Sequence, residues 1–257
     1  MSSGESTDRQ WKRWGELEPY YAVYAAPQFR RDALNEQSLR EFFQSGDRHA
    51  DHVLSVIRRR IRPDFVPLRV LDYGCGVGRI AIPFAGRAAQ VTAVDISPAM
   101  LSEAQRLAGS RGIANSRFLS VSQFSAQPGL TFDLIHSFIV FQHLQPKRGE
   151  HILRDLVRRL EPHGIGAIHV MFANHAHGIR SRWGRLRRRF VLLHRLANLA
   201  TGRPLTFPVM QMNAWSLNRV LALLYAEGAS SIFIEYSLHG AFLGAMIYFE
   251  KVPSVPL

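Results

Sequence analysis

Three glycines and two aspartates are spaced in this sequence as a nucleoside-binding site would require. Gly74, Gly76 and Gly78 follow an apolar run that contains Asp72, and a second apolar run, about 20 residues further on, ends at Asp95. A glycine lets the backbone approach a ligand closely, because it has no Cβ that would clash. An acid at the tip of the second strand can accept hydrogen bonds from ribose hydroxyls. The spacing therefore predicts a strand, a glycine turn, a helix and a second strand that together hold a nucleoside.

The positions of the glycines separate two cofactor families that use this geometry. In the dinucleotide fingerprint G-x-G-x-x-G the third glycine would fall at position 79, which is Arg79. The spacing of this chain instead resembles motif I of the class I S-adenosylmethionine (SAM) methyltransferases, written [DE]-x-G-x-G-x-G. The segment Asp95-Ile96-Ser97-Pro98-Ala99-Met100-Leu101 is similar to the D-x-S-x-x-M-L of the same family.

Later segments resemble the family's fourth strand, the turn after that strand and the L-x-P-G-G turn before its fifth strand (132–137, 141–144 and 160–166). His163 stands where the first glycine of the last turn is usual. The resemblance covers residues 46–172 well and 213–251 loosely. It specifies the fold and the cofactor rather than the substrate.

The resemblance implies that SAM is the cofactor and indicates which residues contact it. The three glycines of the turn would line the methionine and ribose part of SAM. Asp72 would lie near the methionine amino end, Asp95 would hold both ribose hydroxyls, and Ile96 would pack on the adenine. The expected cofactor-binding residues are Asp72, Gly74, Gly76, Gly78, Asp95, Ile96, Ser122, Gln123 and Ser137.

The adenine contact departs from the family pattern. The family often places an acid after its third strand, but residues 119–124 of this chain contain none. Ser122 or Gln123 would then serve, since a glutamine oxygen can accept a hydrogen bond. Ser137 follows the fourth strand, where the family places cofactor and substrate contacts.

His143, in the turn after the fourth strand, is the candidate catalytic base. An unperturbed imidazole titrates near neutral pH, and a base is needed only if the acceptor atom carries a proton. The alternative is a structural histidine bonded to a backbone carbonyl. His169, His175 and His177 form a loose cluster without acidic or cysteine ligands, so we expect no metal site.

The elements that must position these residues read as an α/β chain. Apolar strand segments between amphipathic helices predict a Rossmann-like, doubly wound, seven-stranded sheet, mostly parallel with an antiparallel last strand. Residues 1–62 form an expected N-terminal helical cap, in which Gly46 ends one helix (31–44) before a second begins (47–60). Residues 63–257 form the SAM-binding domain, with an insertion at 172–212 after strand five.

Two regions are candidates for contacting the acceptor. The cap carries aromatic residues, including Tyr20 and Tyr21, that either face substrate or only pack the cap onto the sheet. The insertion contains a basic amphipathic helix at 179–195, in which Arg187 and Arg188 are candidate acceptor contacts. That helix could meet an anionic membrane surface, a phosphate-bearing substrate or nucleic acid, or form only a solvated basic face.

Composition sets wider limits on the partners and the compartment. The 257 residues carry a net charge of +12 and only Cys75 as cysteine, and the sequence pI is about 10.7. Such charge favours nucleic acid, an anionic surface or an acidic substrate, or reflects an arginine-rich proteome. The lone cysteine excludes an internal disulfide. With no signal peptide and no long apolar run, we expect a cytoplasmic protein that the basic helix could hold at a membrane surface.

Together these features predict a SAM-dependent methyltransferase that modifies an oxygen or nitrogen of a small-molecule or glycoconjugate acceptor, anionic or lipid-linked. An RNA or protein methyltransferase is one alternative, although no N-P-P-Y or D-P-P-Y tetrapeptide is present. A non-catalytic SAM-binding scaffold at a membrane surface is the other.

Overall fold

The computed structural model describes residues 7–174, 198–200, 207–208 and 210–252. The helices are α1 (Thr7–Leu17), α2 (Pro19–Val23), α3 (Glu36–Arg60), α4 (Ala81–Ala85), α5 (Pro98–Ser110), α6 (Val121–Ser125), α7 (Pro146–Arg158) and α8 (Leu217–Ala226). The strands are β1 (Arg69–Tyr73), β2 (Gln90–Asp95), β3 (Ser116–Ser120), β4 (Phe132–Ser137), β5 (Leu160–Asn174), β6 (Ala229–His239) and β7 (Phe242–Lys251). Residues 198–200 are also helical.

The strands form one seven-stranded sheet in the order β3-β2-β1-β4-β5-β7-β6. β1 through β5 pair in parallel, whereas β7 runs antiparallel to both β5 and β6. The doubly wound sheet with an antiparallel last strand is thus confirmed. The order reverses at β1 and β4, which is where open α/β sheets place ligands, beyond the carboxyl ends of the strands.

Alternate residues of the central strands face two separate cores. Leu71 of β1 and Ile135 of β4 join a cluster with residues of α7 and α8. Val70 and Leu134, their neighbours in sequence, join a cluster with α3 and α4 on the other face. Successive side chains of a strand point to opposite faces, so apolar residues at consecutive positions bury both faces.

The N-terminal helices pack through a third cluster. Trp14 of α1 and Tyr20 of α2 lie against Phe42 of α3 and Met100 of α5. Asn35 begins α3 with a capping box, because its side chain accepts a hydrogen bond from Ser38 N and the Ser38 hydroxyl accepts one from Asn35 N.

The expected helix end at Gly46 is wrong, since α3 runs without a break from Glu36 to Arg60. A Cβ at Gly46 would lie 1.8 Å from the backbone oxygen of Arg79. The glycine therefore allows a close approach of α3 to the loop after β1. A contact between residues distant in sequence, rather than local helix propensity, requires glycine at this position.

The turn before the apolar part of β5 keeps its glycine-like shape without the usual glycine. His163 has φ 63°, a conformation that non-glycine residues seldom adopt.

No helix among the described residues is long and apolar enough to cross a bilayer. The predicted basic helix 179–195, with Arg187 and Arg188, lies outside the described residues, as do His175 and His177.

Candidate functional site

A cavity opens at the carboxyl ends of β1, β2 and β4, beneath α1 and α2. Its empty volume, including the open mouth, is about 970 Å³. It lies at the reversal of strand order, where a nucleotide-like ligand is expected. The part of the sequence that predicted a nucleoside site therefore forms its floor.

Asp95 is a rigid, buried hydrogen-bond acceptor on this floor. Its Oδ2 accepts from Gly76 N at 2.9 Å and its Oδ1 accepts from Ser97 N at 2.8 Å. Burial raises the pKa of Asp95, while these backbone hydrogen bonds act in the opposite direction. Each carboxylate oxygen keeps a further lone pair, so the side chain can accept hydrogen bonds from two neighbouring hydroxyls.

The glycine turn places bare backbone against the cavity. Gly74 and Gly76 line it with φ values of 81° and 55°. A Cβ at Gly74 would lie 2.2 Å from the Val140 side chain, and one at Gly76 would lie 2.4 Å from Val23. Gly78 also has positive φ but does not line the cavity. The expected glycine contacts thus reduce to two, and Gly78 serves the turn itself.

Asp72 ends a buried hydrogen-bond chain that the motif did not predict. His136 Nδ1 lies 2.7 Å from Asp72 Oδ1, and His136 Nε2 lies 3.0 Å from His49 Nε2. A carboxylate only accepts, so a neutral His136 donates to Asp72 and accepts from His49. Burial lowers the pKa of His49. The only signal for His136 in the sequence is a histidine inside the apolar strand β4.

His143 lies on the cavity wall with one ring nitrogen engaged. Its Nδ1 lies 2.7 Å from the Gln211 carbonyl oxygen. In the neutral ring Nδ1 therefore carries the hydrogen and donates to this oxygen, and Nε2 is unprotonated. The ring packs against Trp11, with centroids 4.5 Å apart. Burial lowers the pKa of His143 to about 4. The expectation of a near-neutral pKa is therefore wrong, because the ring is desolvated, and at pH 7 the side chain is an uncharged acceptor.

Helix α1 closes one side of the cavity with Thr7, Asp8 and Trp11. Asp8 receives two hydrogen bonds from the Arg148 guanidinium, at 2.5 and 3.0 Å. Arg148 belongs to α7 and also lines the cavity. The cap is therefore held to the core by an ion pair at the mouth.

The two tyrosines expected to meet substrate lie elsewhere. The Tyr20 hydroxyl donates to Glu103, and desolvation raises its pKa. Tyr21 packs under the Arg30 guanidinium at 4.0 Å from its ring centroid. Neither residue lines the cavity, whereas Val23, on the same short helix, does. Tyr20 therefore takes part in the packing of the cap against α5, and Tyr21 packs within the cap.

Ser122, Gln123 and Ser137 are likewise not brought to the cavity. Gln123 Oε1 accepts from Ser120 N at 2.8 Å in the capping box of α6, which occupies the oxygen expected to bind adenine. Ser137 is fully buried and donates to the Tyr73 carbonyl at 2.8 Å, joining β4 to β1. Val121 lines the cavity in this region, so the local contact is apolar.

The residues at the floor fit SAM. The two glycines present backbone without a Cβ at the cavity, at positions where a Cβ would clash with Val140 and Val23. Asp95 presents fixed acceptors for a ribose diol, and Ile96 lines the same cavity. Cys75 is buried and its pKa is raised by desolvation, so it remains a thiol. No cluster of three or more metal-ligating side chains occurs in the part of the chain that the structure describes.

Comparison with known proteins finds similarity to methyltransferases. A family model described as "Methyltransferase domain" matches residues 70–164. The malonyl-[acyl-carrier protein] O-methyltransferase of Enterobacter lignolyticus is 31% identical over 115 residues, 45% of this chain and 43% of that protein. The ubiquinone biosynthesis O-methyltransferase of Methylocella silvestris is 34% identical over 77 residues, 30% of either chain. The chain spans less than half the length of these curated relatives.

Solved structures share the fold at low sequence identity. Magnesium protoporphyrin IX methyltransferase from Synechocystis, crystallised with SAM, has a TM-score of 0.60 at 18% identity and covers 98% of this chain and 100% of its own. The [4+2]-cyclase SpnF has a TM-score of 0.55 at 18% identity, covering 81% of this chain and 82% of its own. These likenesses establish the architecture, which proteins of different activity use.

Proposed function

Because residues 70–164 match a family model described as a methyltransferase domain, we propose that this chain is a class I SAM-dependent methyltransferase that transfers the methyl group of SAM to an oxygen of a small-molecule acceptor. The observation that carries the proposal is the pair Asp95 and Gly76. The Gly76 N–H donates to Asp95, the acid at the tip of β2, at 2.9 Å, and Gly74 and Gly76 line the cavity beside it.

Each residue of the cavity has a simple task in this function. Asp95 would accept hydrogen bonds from the ribose hydroxyls, Gly74 and Gly76 would admit the methionine and ribose part, and Ile96 would cover the adenine. Bound SAM supplies a methyl group that its sulfonium already activates. The protein therefore contributes mainly orientation and exclusion of water, which α1 provides by covering the cavity.

His143 would accept the proton of an acceptor hydroxyl. Its bare Nε2 is unprotonated at pH 7 because the pKa is about 4, so the base is always available but weak. Such a base suits an acceptor whose hydroxyl is itself acidic, such as a phenol, whereas a carboxylate is already deprotonated at pH 7 and needs no base. The names of the relatives, which are O-methyltransferases, support oxygen as the methylated atom.

The finer nature of the acceptor is part of the proposal. A glycoconjugate or a lipid-linked anionic acceptor agrees with the net charge of +12. Arg187 and Arg188 of the insertion remain the proposed contacts for such an acceptor, and segment 179–195 remains the proposed membrane-facing part.

Isothermal titration with SAM, S-adenosylhomocysteine and NAD tests the cofactor. We expect the first two to bind and NAD not to bind. Asp95→Asn should weaken SAM about tenfold or more, because it removes charge-assisted hydrogen bonds. Asp133→Asn is the matched control: Asp133 accepts from Leu68 N at 2.7 Å but lies at the opposite ends of the strands.

The outcomes separate the alternatives. Binding of NAD alone would make this a dehydrogenase-like domain. SAM binding without methyl transfer to any screened acceptor, together with vesicle binding that survives Asp95→Asn, would favour the scaffold. Unchanged SAM affinity in folded Asp95→Asn would refute the proposed site.

A further inference from the structure

Arg79, the residue that breaks the dinucleotide fingerprint, is a buried cation with an unfilled hydrogen-bonding edge. The residue lines the cavity and is only 8% exposed. Nη1 donates to the Ser45 hydroxyl at 3.1 Å, while Nε is buried and has no partner among the residues that the structure describes. Buried polar groups are nearly always hydrogen-bonded, so an unpartnered guanidinium nitrogen at a cavity points to a ligand.

No carboxylate in the described part of the chain lies within ion-pair distance of Arg79. Asp72, the nearby acid, acts on it only through space, and Asp72 Oδ1 is already bonded to His136. Desolvation lowers the pKa of Arg79 to about 10, which leaves it charged at pH 7. The cation is therefore desolvated without a counter-ion in contact, an arrangement that costs free energy unless a ligand completes it.

A second buried arginine shows what a completed site looks like. Arg159 is 5% exposed; its Nε donates to Asp155 at 2.9 Å and its Nη1 to the Gln127 carbonyl at 2.7 Å. Its guanidinium lies 4.3 Å from the centroid of Phe124. Arg159 thus finds all of these contacts within the chain. Arg79 has the aromatic contacts, to Tyr24 at 5.6 Å and Phe138 at 6.0 Å, but lacks the carboxylate.

We propose that Arg79 binds a carboxylate group in the cavity through its Nε edge, an inference that rests on the proposed function. A guanidinium edge matches the two oxygens of a planar carboxylate. One buried cation balances one negative charge, whereas a phosphate carries about −1.5 to −2 and would leave excess charge beside Asp72 and Asp95. The carboxylate can come from the methionine end of SAM or from the acceptor.

Titration with SAM and with decarboxylated SAM tests the cofactor as the source. If SAM provides the carboxylate, the wild-type protein should bind the decarboxylated analogue about tenfold or more weakly. Arg79→Gln should weaken SAM by a similar factor and leave the analogue unchanged. Arg79→Lys keeps the charge but loses the planar edge, so its affinity for SAM should lie between those of wild type and Arg79→Gln.

A second experiment tests the acceptor as the source of the carboxylate. In that case SAM and its analogue bind alike to wild type and to Arg79→Gln. Benzoate should then bind to wild-type protein saturated with S-adenosylhomocysteine, as followed by NMR, and should fail to bind to the loaded Arg79→Gln variant. Benzoate tests the recognition of a carboxylate without requiring the true acceptor.

Arg159→Gln is the control for the general loss of a buried arginine, and it should lower thermal stability without changing any affinity. The inference is overturned if folded Arg79→Gln and wild type bind SAM, the analogue and benzoate alike. If Arg79→Gln does not fold, the comparison of SAM with its analogue and of benzoate with benzyl alcohol on wild type decides the question. Failure of wild type to bind SAM at all refutes the proposed function, and this inference with it.

Discussion

The charged side chains at the two ends of the parallel strands differ in their burial and in their hydrogen-bond partners. At the amino ends, Asp133 accepts backbone hydrogen bonds from Leu68 at 2.7 Å and from Arg69 at 3.1 Å. The Arg69 guanidinium also donates to Glu161 at 2.5 Å. These charged groups have partners within the chain, and their geometry ties strands and turns together.

At the carboxyl ends, the charged groups are more deeply buried, and one of them has a hydrogen-bond donor without a partner among the described residues. Asp72 and Asp95 are 2% and 8% exposed, and Arg79 keeps a nitrogen without a partner. Gly74 and Gly76 hold positive φ beside them. Strained backbone angles and unpaired buried polar groups are expected at sites that serve function rather than stability. The difference teaches that the cavity end is organised around atoms that the chain itself does not supply.

The largest expected effect tests whether the neutral imidazole at the cavity end is used in chemistry. His143→Gln should reduce methyl transfer to a hydroxyl acceptor by about 100-fold to 10,000-fold and leave SAM affinity unchanged. His151→Gln, at an exposed position of α7, is the control. Titration of the His143 ring by NMR should give a pKa near 4, and a midpoint near 6.5 would contradict the burial of the ring. Unchanged methyl transfer by His143→Gln would contradict its role as the base.

The second prediction concerns acid stability. Burial lowers the pKa of His49, of His143 to about 4 and of His169 to about 3. Below pH 6.5 the unfolded chain therefore binds more protons than the folded one, and the free energy of unfolding should fall as pH decreases. Each such histidine contributes on the order of 1 kcal/mol per pH unit.

Urea unfolding measured from pH 7 to pH 5 checks this dependence. His169→Gln should make the decrease shallower by the share of one histidine. Stability that does not change over this pH range would mean that these rings are protonated in the folded state.

The smallest expected effect concerns the contact between α3 and the cavity loop. Gly46→Ala should lower the free energy of unfolding by about 1–3 kcal/mol, because the new Cβ would meet the Arg79 backbone oxygen at 1.8 Å. Gly109→Ala, in α5, has nothing within 4 Å of its Cβ and should stabilise by up to about 1 kcal/mol through helix propensity. Thermal melts of both variants give the comparison, and equal stabilisation by both would contradict the close approach.

Much of the fold follows from local pattern. The glycine spacing from Gly74, Asp95 at the tip of a second apolar run and the alternation of strands with helices predict the sheet and the cofactor, and the structure and the comparisons bear them out. Such features depend on residues close in sequence. They are therefore readable without knowledge of the tertiary contacts.

Three expected contacts do not reach the cavity, and for two of them, Ser137 and Tyr20, the competing partner is far away in sequence. Gln123 is taken by the cap of its own helix, Ser137 by the neighbouring strand and Tyr20 by Glu103 of α5. Each has a side chain able to bind a ligand, but an alternative partner competes for it. Composition and spacing do not reveal which partner wins.

The sequence by itself determined the class of fold, the glycine turn after β1 and the acid at the tip of β2, because glycine conformation and strand periodicity act locally. The tertiary structure alone decided the state of the titratable groups. Only packing reveals that His143 is desolvated, that His136 joins Asp72 to His49, and that Arg79 is buried with no counter-ion in contact within the described part of the chain. Protonation and unfilled hydrogen bonds depend on what surrounds a group in space, and no residue carries that information in its own identity.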